Sequence, residues 1–287
     1  MKAELRRTIG DGARWAKYPL VALLLAGAAV SADAQVPGGI RTTDDGIKYA
    51  RGQNVVPVFE GWVPNPDGTF SLIFGYFNRN WQENVFIPVG TDNYVSPGVP
   101  DRGQPTVFTA RRERNKFEVV VPKDFGTKEL VWTLTHRGRT EKAYGALVPQ
   151  EVLSRKMVLA NVQREFSDDD TGDALSTNAP AVVEIASAPP VSLRAALSVS
   201  INDDGTPMAG YRFGGRRGAQ GISVTWSTYR GPALASFDPP ASRLATPKGG
   251  HVTATAMFTV PGAYVLRATV VDVGGYLTNK DVTVDVK

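Results

Sequence analysis

The segment Thr69-Phe-Ser-Leu-Ile-Phe-Gly-Tyr-Phe77 carries large apolar side chains at every second position. These alternating residues are Phe70, Leu72, Phe74 and Tyr76. Successive side chains of a β-strand point to opposite faces, so this pattern predicts a strand with one buried face. The preceding Pro64-Asn-Pro-Asp-Gly68 is rich in residues that favour a tight turn. The two segments together predict a hairpin in which Val55–Trp62 is the partner strand.

The same alternation recurs through the rest of the chain, between short stretches rich in Gly, Pro, Asn and Asp. Further alternating sets are Phe117, Val119 and Val121; Leu130, Trp132 and Leu134; Ile222, Val224 and Trp226; and Tyr264, Leu266, Ala268 and Val270. No stretch of useful length outside the N-terminal segment has helical periodicity. Because a sandwich domain uses about 100 residues, the pattern predicts an all-β protein with two β-sandwich, immunoglobulin-like domains.

Residues 1–34 have the organisation of an export signal, with a charged start, an apolar run at Leu20–Val30 and the cleavage pattern Ala32-Asp-Ala34. A membrane-spanning helix needs about 20 apolar residues, and this run is shorter. We therefore predict a cleavable signal peptide and an exported protein, located in the periplasm or outside the cell. The alternative is an uncleaved signal anchor, which would be the only part of the chain to contact the membrane.

Changes in composition divide the exported part of the chain. Residues 35–50 are predicted to form a flexible leader, and residues 51–159 the N-terminal β-sandwich. Residues 160–180 include an acidic, turn-rich segment and are predicted to form an interdomain linker. Residues 181–287 then form the second β-sandwich.

Charge and cysteine content exclude several classes of function. The 287 residues include 32 Lys and Arg and 28 Asp and Glu. Residues 1–34 contain five of the basic and three of the acidic residues, so residues 35–287 have a net charge of +2. Nucleic-acid binding needs many contacts that neutralise phosphates, so this balance argues against it. The chain has no cysteine, which excludes disulfides, thiol nucleophiles and zinc–thiolate sites.

The second half of the chain resembles a known family. The segments Val224-Thr-Trp-Ser227, Pro261-Gly-Ala-Tyr264 and Asp281-Val-Thr-Val284 follow one another in the order found in the polycystic kidney disease (PKD) type of immunoglobulin-like domain. The resemblance covers about residues 180–287 and is PKD-like, because Val224–Ser227 replaces the frequent Trp-Asp-Phe-Gly-Asp stretch of that family. It implies a non-catalytic module used for adhesion, spacing or ligand contact.

Two aromatic residues of this half have expected structural roles. Alternation places Trp226 in the sandwich interior, where a large apolar ring fills the core. Tyr264 follows a Pro-Gly turn and is expected to donate a tyrosine-corner-like hydrogen bond to nearby backbone. The N-terminal half, through Phe59-Glu-Gly-Trp62 and Ser71–Asn78, resembles uncharacterised exported bacterial proteins, which indicates a class and no activity.

Catalytic motifs are not evident in the sequence. The two histidines, His136 and His251, fall in different predicted domains, and neither G-x-S-x-G nor H-E-x-x-H occurs. The first domain offers carboxylates that are expected in loops or on the solvent side of strands: Glu60, Glu83, Asp92, Asp101, Glu113 and Glu118. We therefore predict no enzyme activity, no catalytic residue and no cofactor. The alternative is an envelope glycan hydrolase that uses two carboxylates within residues 50–150.

One acidic segment has part of a calcium-loop pattern. Asp168 and Asp170 are two positions apart and are followed by Gly172 and Asp173, and oxygen-rich loops of this kind bind calcium. The downstream Glu of a complete EF-hand loop is missing. The sequence therefore favours a solvated acidic linker and no metal site, with calcium binding as the alternative.

Six residues of the first domain are candidates for ligand binding. The aromatic candidates, Phe77, Trp81 and Tyr94, are expected at strand ends or in loops, with Tyr94 in the Pro- and Gly-rich loop 91–105. The basic candidates, Arg111, Arg112 and Arg114, are expected at the tip of a hairpin. Exposed aromatic rings stack on sugars or peptides, and a basic tip attracts an acidic glycan or an anionic surface. Ordinary packing of the rings and a solvated tip that prevents edge pairing are the alternatives.

These observations predict an exported, non-catalytic binding or scaffold protein of the bacterial cell envelope. Its partner is an envelope glycan or a protein surface, and not nucleic acid. Besides the glycan hydrolase, a purely structural spacer is an alternative.

Overall fold

The chain has the all-β sandwich fold that the alternation predicts. The computed structural model describes residues 48–161, 178–186, 192–206 and 221–287. Almost all regular structure in these ranges is antiparallel β-sheet. The predicted signal peptide, most of the predicted leader and linker, and the acidic segment 168–173 lie outside the described residues.

The predicted hairpin opens the first sandwich. Val55–Pro64 and Phe70–Asn78 pair antiparallel, and the Gly68 amide donates to the Asn65 carbonyl oxygen at 3.0 Å in the turn between them. The strands of this half are β1 (Val55–Pro64), β2 (Phe70–Asn78), β3 (Val85–Phe86), β4 (Asn93–Ser96), β5 (Val107–Phe108), β6 (Arg111–Val121), β7 (Leu130–His136) and β8 (Arg139–Gly145). They form the sheets β1-β2-β6 and β4-β7-β8 and the short pair β3-β5.

An aromatic cluster fills the core between these sheets. Phe74 of β2 stacks on Phe117 of β6 with ring centroids 5.2 Å apart, and Trp132 of β7 meets Phe117 edge-on at 4.9 Å. The buried Trp132 indole donates to the Asn93 side-chain oxygen at 3.0 Å, so its one polar atom has a partner. These contacts join the two sheets into one core.

Two short helical turns follow the first sandwich. A 3-10 turn spans Pro149–Glu151, and helix α1 spans Arg155–Ala160. The Ser154 hydroxyl accepts from the Met157 amide at 3.1 Å and caps the start of α1. Asn161, with a φ of 51°, ends the helix in the left-handed conformation.

The second sandwich has two four-stranded sheets that share a core of their own. Its strands are β9 (Val182–Ile185), β10 (Arg194–Asn202), β11 (Ile222–Arg230), β12 (Ser236–Asp238), β13 (Ala241–Leu244), β14 (Gly249–Met257), β15 (Gly262–Val271) and β16 (Leu277–Val286). The orders are β12-β14-β10-β9 and β13-β11-β15-β16. Trp226 lies in this core, and the Tyr264 hydroxyl donates to the Val260 carbonyl oxygen at 2.8 Å. Both predicted structural roles are confirmed.

Two local predictions are wrong. Residues 111–115, expected at a hairpin tip, are the first half of the long strand β6, which pairs with β2. The expected loop 91–105 contains strand β4, which pairs with β7. In both places, pairing with a neighbouring strand overrode local composition. No helix in the described parts of the chain is long and apolar enough to cross a membrane.

The Tyr264 hydrogen bond is testable with a conservative change. We expect Tyr264→Phe to lower the free energy of unfolding by about 1 kcal/mol, because it leaves the Val260 carbonyl without its donor. Urea unfolding measures the loss. Tyr144→Phe is the control, since the Tyr144 ring is exposed on β8. An equal loss in both variants would contradict the corner role.

Candidate functional site

The two sandwiches meet through charged and aromatic side chains of β11. Arg230 forms a bidentate ion pair with Asp101, at 2.7 and 2.9 Å, and its Nε donates to the Gln104 carbonyl oxygen at 2.8 Å. The neighbouring Tyr229 hydroxyl donates to the Gly103 carbonyl oxygen at 2.6 Å. Hydrogen bonds with several defined directions leave little freedom of rotation, so they fix this side of the junction.

Arg267 of β15 fixes the other side of the junction. Its guanidinium is buried, forms a bidentate ion pair with Asp281 at 2.7 and 2.8 Å, and lies 3.5 Å from the centroid of the Tyr229 ring. Its remaining Nη1 donates to the Lys116 carbonyl oxygen of β6 at 2.7 Å. Burial acts to lower the pKa of Arg267, but the Asp281 carboxylate offsets this and the pKa lies above its ordinary value. The cation therefore links the sandwiches in its charged form.

A glycine in β2 lets charged side chains meet on the outer face of the first sheet. Arg112 of β6 donates two hydrogen bonds to Glu60 of β1, at 2.6 and 2.7 Å, across Gly75 in the strand between them. A Cβ at Gly75 would collide with the Glu60 carboxylate. Glu60 was expected to face solvent, and this was wrong, because its side chain is buried under the ion pair. Burial raises the pKa of Glu60, although Arg112 opposes the rise.

A bulge in β6 follows this ion pair. Phe74 pairs with Phe117 and Tyr76 with Glu113, so three residues, 114–116, lie opposite Gly75 alone. Asn115 at its centre has a φ of 49° and donates through its amide to the Val158 carbonyl oxygen and the Asn161 side-chain oxygen, at 3.3 and 3.1 Å. Helix α1 therefore holds the bulge in a defined conformation.

The bulge, α1 and the second sandwich enclose a cleft of about 510 Å³. Side chains of β15 and β16, including Thr269, Thr278 and Asn279, form the wall opposite the bulge. The charged residues that line the cleft are Glu113, Arg114, Lys116, Glu118, Arg155 and Arg267. The walls therefore combine charges with amides and hydroxyls, and they come from both sandwiches.

Three of the four cations in the cleft have a carboxylate partner. Lys116 pairs with Glu113 at 3.2 Å, Arg155 with Glu118 at 2.7 Å, and Arg267 with Asp281. Arg114 forms no ion pair with any described residue, and its buried Nε has no hydrogen-bond acceptor among them. Buried polar atoms are nearly always satisfied in native proteins. Five described residues have one without a partner, and Arg114 is the one of these five that lines the cleft.

The six predicted ligand-binding residues do not form one site. The Arg111 guanidinium lies 4.0 Å from the centroid of the Trp81 ring and 5.4 Å from that of Phe77, so these three residues pack on one another. Tyr94 lies on β4, in the other sheet. Of the two remaining arginines, Arg112 is bound to Glu60 and Arg114 lines the cleft. Successive side chains of a strand point to opposite faces, so strand β6 separates the side chains of Arg111 and Arg112. A hairpin tip would have kept them together.

Five of the six candidate carboxylates of the alternative hydrolase form ion pairs; Asp92 forms none with a described residue. The pairs are Glu60–Arg112, Glu83–Arg137, Asp101–Arg230, Glu113–Lys116 and Glu118–Arg155. Of these acids, Glu113 and Glu118 line the cleft. The two histidines lie in different sandwiches, His136 at the end of β7 and His251 in β14. Within the described ranges, no group of three or more acidic or histidine side chains is placed to hold a metal ion.

Several residues of the cleft and junction were not identified from the sequence. Tyr229 and Arg267 lie in strands β11 and β15. The alternation in these strands correctly predicts the core residues but does not predict contacts on the outer faces of the strands. The available signal was Ile73, an apolar residue at an outward position of β2, which is buried and lines the cleft. An apolar residue on the presumed solvent face indicates that another layer covers that face.

No protein-family model matches this chain, and no curated protein is significantly similar to it. The PKD-like resemblance and the domain boundaries therefore stay predictions.

The Arg267 junction is testable through stability. We expect Arg267→Met to lower the free energy of unfolding by about 2–3 kcal/mol, because Asp281 and the Lys116 carbonyl both lose a charged donor. Calorimetry or urea unfolding measures this. Arg194→Gln, at an exposed position of β10, is the control and should change stability little. Equal stability of the wild-type chain and Arg267→Met would contradict the structural role.

The Asp101–Arg230 pair predicts a dependence on pH. Hydrogen bonds from Arg230 lower the pKa of Asp101 below its ordinary value of 3.8. A lowered pKa adds stability that is present above pH 3.8 and is lost as the pH falls through the lower, folded-state value. Asp101→Asn should therefore be less stable than wild type above pH 3.8, and the difference should disappear in stronger acid.

The control for this measurement is the same change in an Arg230→Gln background. There Asp101→Asn should have a smaller effect above pH 3.8 than in the wild-type background, because the partner charge is gone. A difference between wild type and Asp101→Asn that grows in acid would contradict the assignment.

Proposed function

We propose that this chain is an exported, non-catalytic binding protein of the bacterial cell envelope, and that its ligand occupies the junction cleft. One observation carries the proposal: the two sandwiches are joined by defined hydrogen bonds around a polar cleft of about 510 Å³. Ligand sites of small molecules typically measure about 300–1,000 Å³ and are largely formed before binding. A preformed site loses little conformational entropy when the ligand enters.

The charged groups of the cleft favour binding over catalysis. Glu113 and Glu118 each have a carboxylate oxygen engaged by a cation, Lys116 or Arg155. These ion pairs orient the walls and engage one oxygen of each carboxylate, so neither group is wholly available to a glycosidic bond. The predicted export signal and the PKD-like resemblance support the same reading, since that family supplies adhesion and ligand-contact modules.

A glycan hydrolase remains the second candidate, on one specific observation. Glu113 and Glu118 line the same cleft, and glycoside hydrolysis uses a pair of carboxyl groups. In that case Glu113→Gln and Glu118→Gln would each abolish release of sugar products while ligand binding persisted. Product release from envelope glycans by the wild-type chain, lost in both variants, would overturn the non-catalytic proposal.

The cleft is testable with a blocking substitution. Asn279 is exposed and lines the cleft, so Asn279→Trp should fill it without disturbing the core. We expect the processed wild-type chain to bind a component of envelope extract or of a glycan array. Asn279→Trp should weaken that binding at least about tenfold, which corresponds to ~1.4 kcal/mol.

Thr283→Trp provides the matched control. Thr283 is exposed on the same strand, β16, and does not line the cleft. The control should bind like wild type. Unchanged binding by Asn279→Trp would place the ligand elsewhere, and the complete absence of a ligand would favour the structural spacer.

A further inference from the structure

We propose that the cleft recognises an acidic glycan, and that Arg114 pairs with a sugar carboxylate of this ligand. This inference rests on the proposed function and specifies the class of ligand for the same site. The observation behind it is an arginine at the wall of a polar cleft without an anionic partner.

Arg114 is close to a carboxylate that is already engaged. It interacts electrostatically with Glu60, but both Glu60 oxygens accept hydrogen bonds from Arg112, at 2.6 and 2.7 Å. The acids of the cleft are likewise engaged, Glu113 by Lys116 and Glu118 by Arg155. An arginine keeps its charge in proteins and offers five N–H donors in a planar fork. The Arg114 Nε is buried, so a ligand would bind the Nη groups, which form no hydrogen bond with a described residue. A ligand oxygen anion in the cleft would satisfy these donors.

The backbone around Arg114 is fixed before any ligand arrives. On one side, Arg112 spans the sheet to reach Glu60. On the other side, the side-chain amide of Asn115 donates to Val158 of α1 and to Asn161, which ends that helix. The Lys116 carbonyl oxygen accepts a hydrogen bond from Arg267 of the second sandwich. The bulge thus presents Arg114 from a support that both sandwiches stabilise. Such support is what a binding side chain needs for defined geometry.

The charge balance of the cleft selects a singly charged anion. Each of the other three cations that line the cleft has one carboxylate partner. Among the described residues, Arg114 is therefore the one cation of the lining without a paired carboxylate. A carboxylate matches it, and a planar guanidinium binds a carboxylate through two parallel hydrogen bonds. A doubly charged phosphate would keep an unmatched negative charge beside Glu113 and Glu118, which is unfavourable in a partly desolvated site.

The remaining polar lining suits sugar hydroxyls. Amide and hydroxyl side chains both donate and accept hydrogen bonds, as sugar hydroxyls do; in the cleft these are Asn115, Asn161, Thr269, Thr278 and Asn279. The cleft also has apolar surface, from residues such as Ile73 and Leu277, that can contact the C–H faces of a sugar ring. A carboxylate surrounded by hydroxyls is the chemistry of a uronic acid residue.

Calorimetric titration with matched sugars tests the inference. The probes are trisaccharides of galacturonate, glucuronate and guluronate, and the methyl ester of each, which keeps the skeleton and removes the charge. We expect the processed wild-type chain to bind at least one uronate, and its ester at least about tenfold more weakly, or ~1.4 kcal/mol. Arg114→Gln should lose the same factor with the acid and no longer distinguish acid from ester.

Two further variants identify the residue responsible. Arg114→Lys should bind with intermediate affinity, because it keeps the charge and loses the bidentate geometry. Arg194→Gln is the charge-matched control: it removes one positive charge from an exposed position of β10 that does not line the cleft, so binding should change less than about threefold. Unfolding curves for each variant establish that the fold is intact.

The outcomes separate this inference from the proposed function. Equal binding of acid and ester, equal losses in Arg114→Gln and Arg194→Gln, or no uronate binding would each overturn the assignment of a carboxylate to Arg114. If a neutral sugar bound and Asn279→Trp blocked it, the cleft would still be the binding site. If uronate binding survived Asn279→Trp, the proposed function of the cleft would fail as well.

Discussion

The buried guanidinium of Arg267 is the contact on which the arrangement of the two sandwiches depends. A charge taken out of water is costly unless its hydrogen-bond donors are satisfied. Asp281, the Tyr229 ring and the Lys116 carbonyl oxygen satisfy it from three directions, and the last of these belongs to the other sandwich. The second sandwich therefore satisfies its own buried charge completely only when it is docked on the first.

The docked arrangement explains two irregular features of the first sheet, Gly75 in β2 and the bulge in β6. Gly75 allows Glu60 and Arg112 to meet across β2, and the bulge after Arg112 turns the next residues toward the second sandwich. Without the bulge, β6 would keep its regular alternation of side chains, and Arg114 would have a different orientation. The cleft is thus a consequence of two local departures from ideal strand geometry, both stabilised by hydrogen bonds.

Alternation predicted the core because burial on one face requires it, and Phe74, Trp132 and Trp226 lie where the pattern placed them. The outer faces were not predictable in this way, since contacts between sandwiches involve residues far apart in sequence. Arg267 meets Lys116, 151 positions away. The five polar residues 111–115 resemble a turn and so predict a hairpin tip, whereas pairing with β2 decides their conformation. Of the predicted ligand residues, Arg114 lines the cleft, but the sequence held no signal that singled it out.

The central claim is that the two sandwiches adopt one fixed arrangement in solution. Residual dipolar couplings of backbone amides in the processed chain test this directly, because they report the orientation of each sandwich in a common frame. Couplings from β1–β8 and from β9–β16 should fit a single alignment tensor with the orientation described above. Two tensors of clearly different magnitude would show that the sandwiches move independently, and would contradict a preformed cleft.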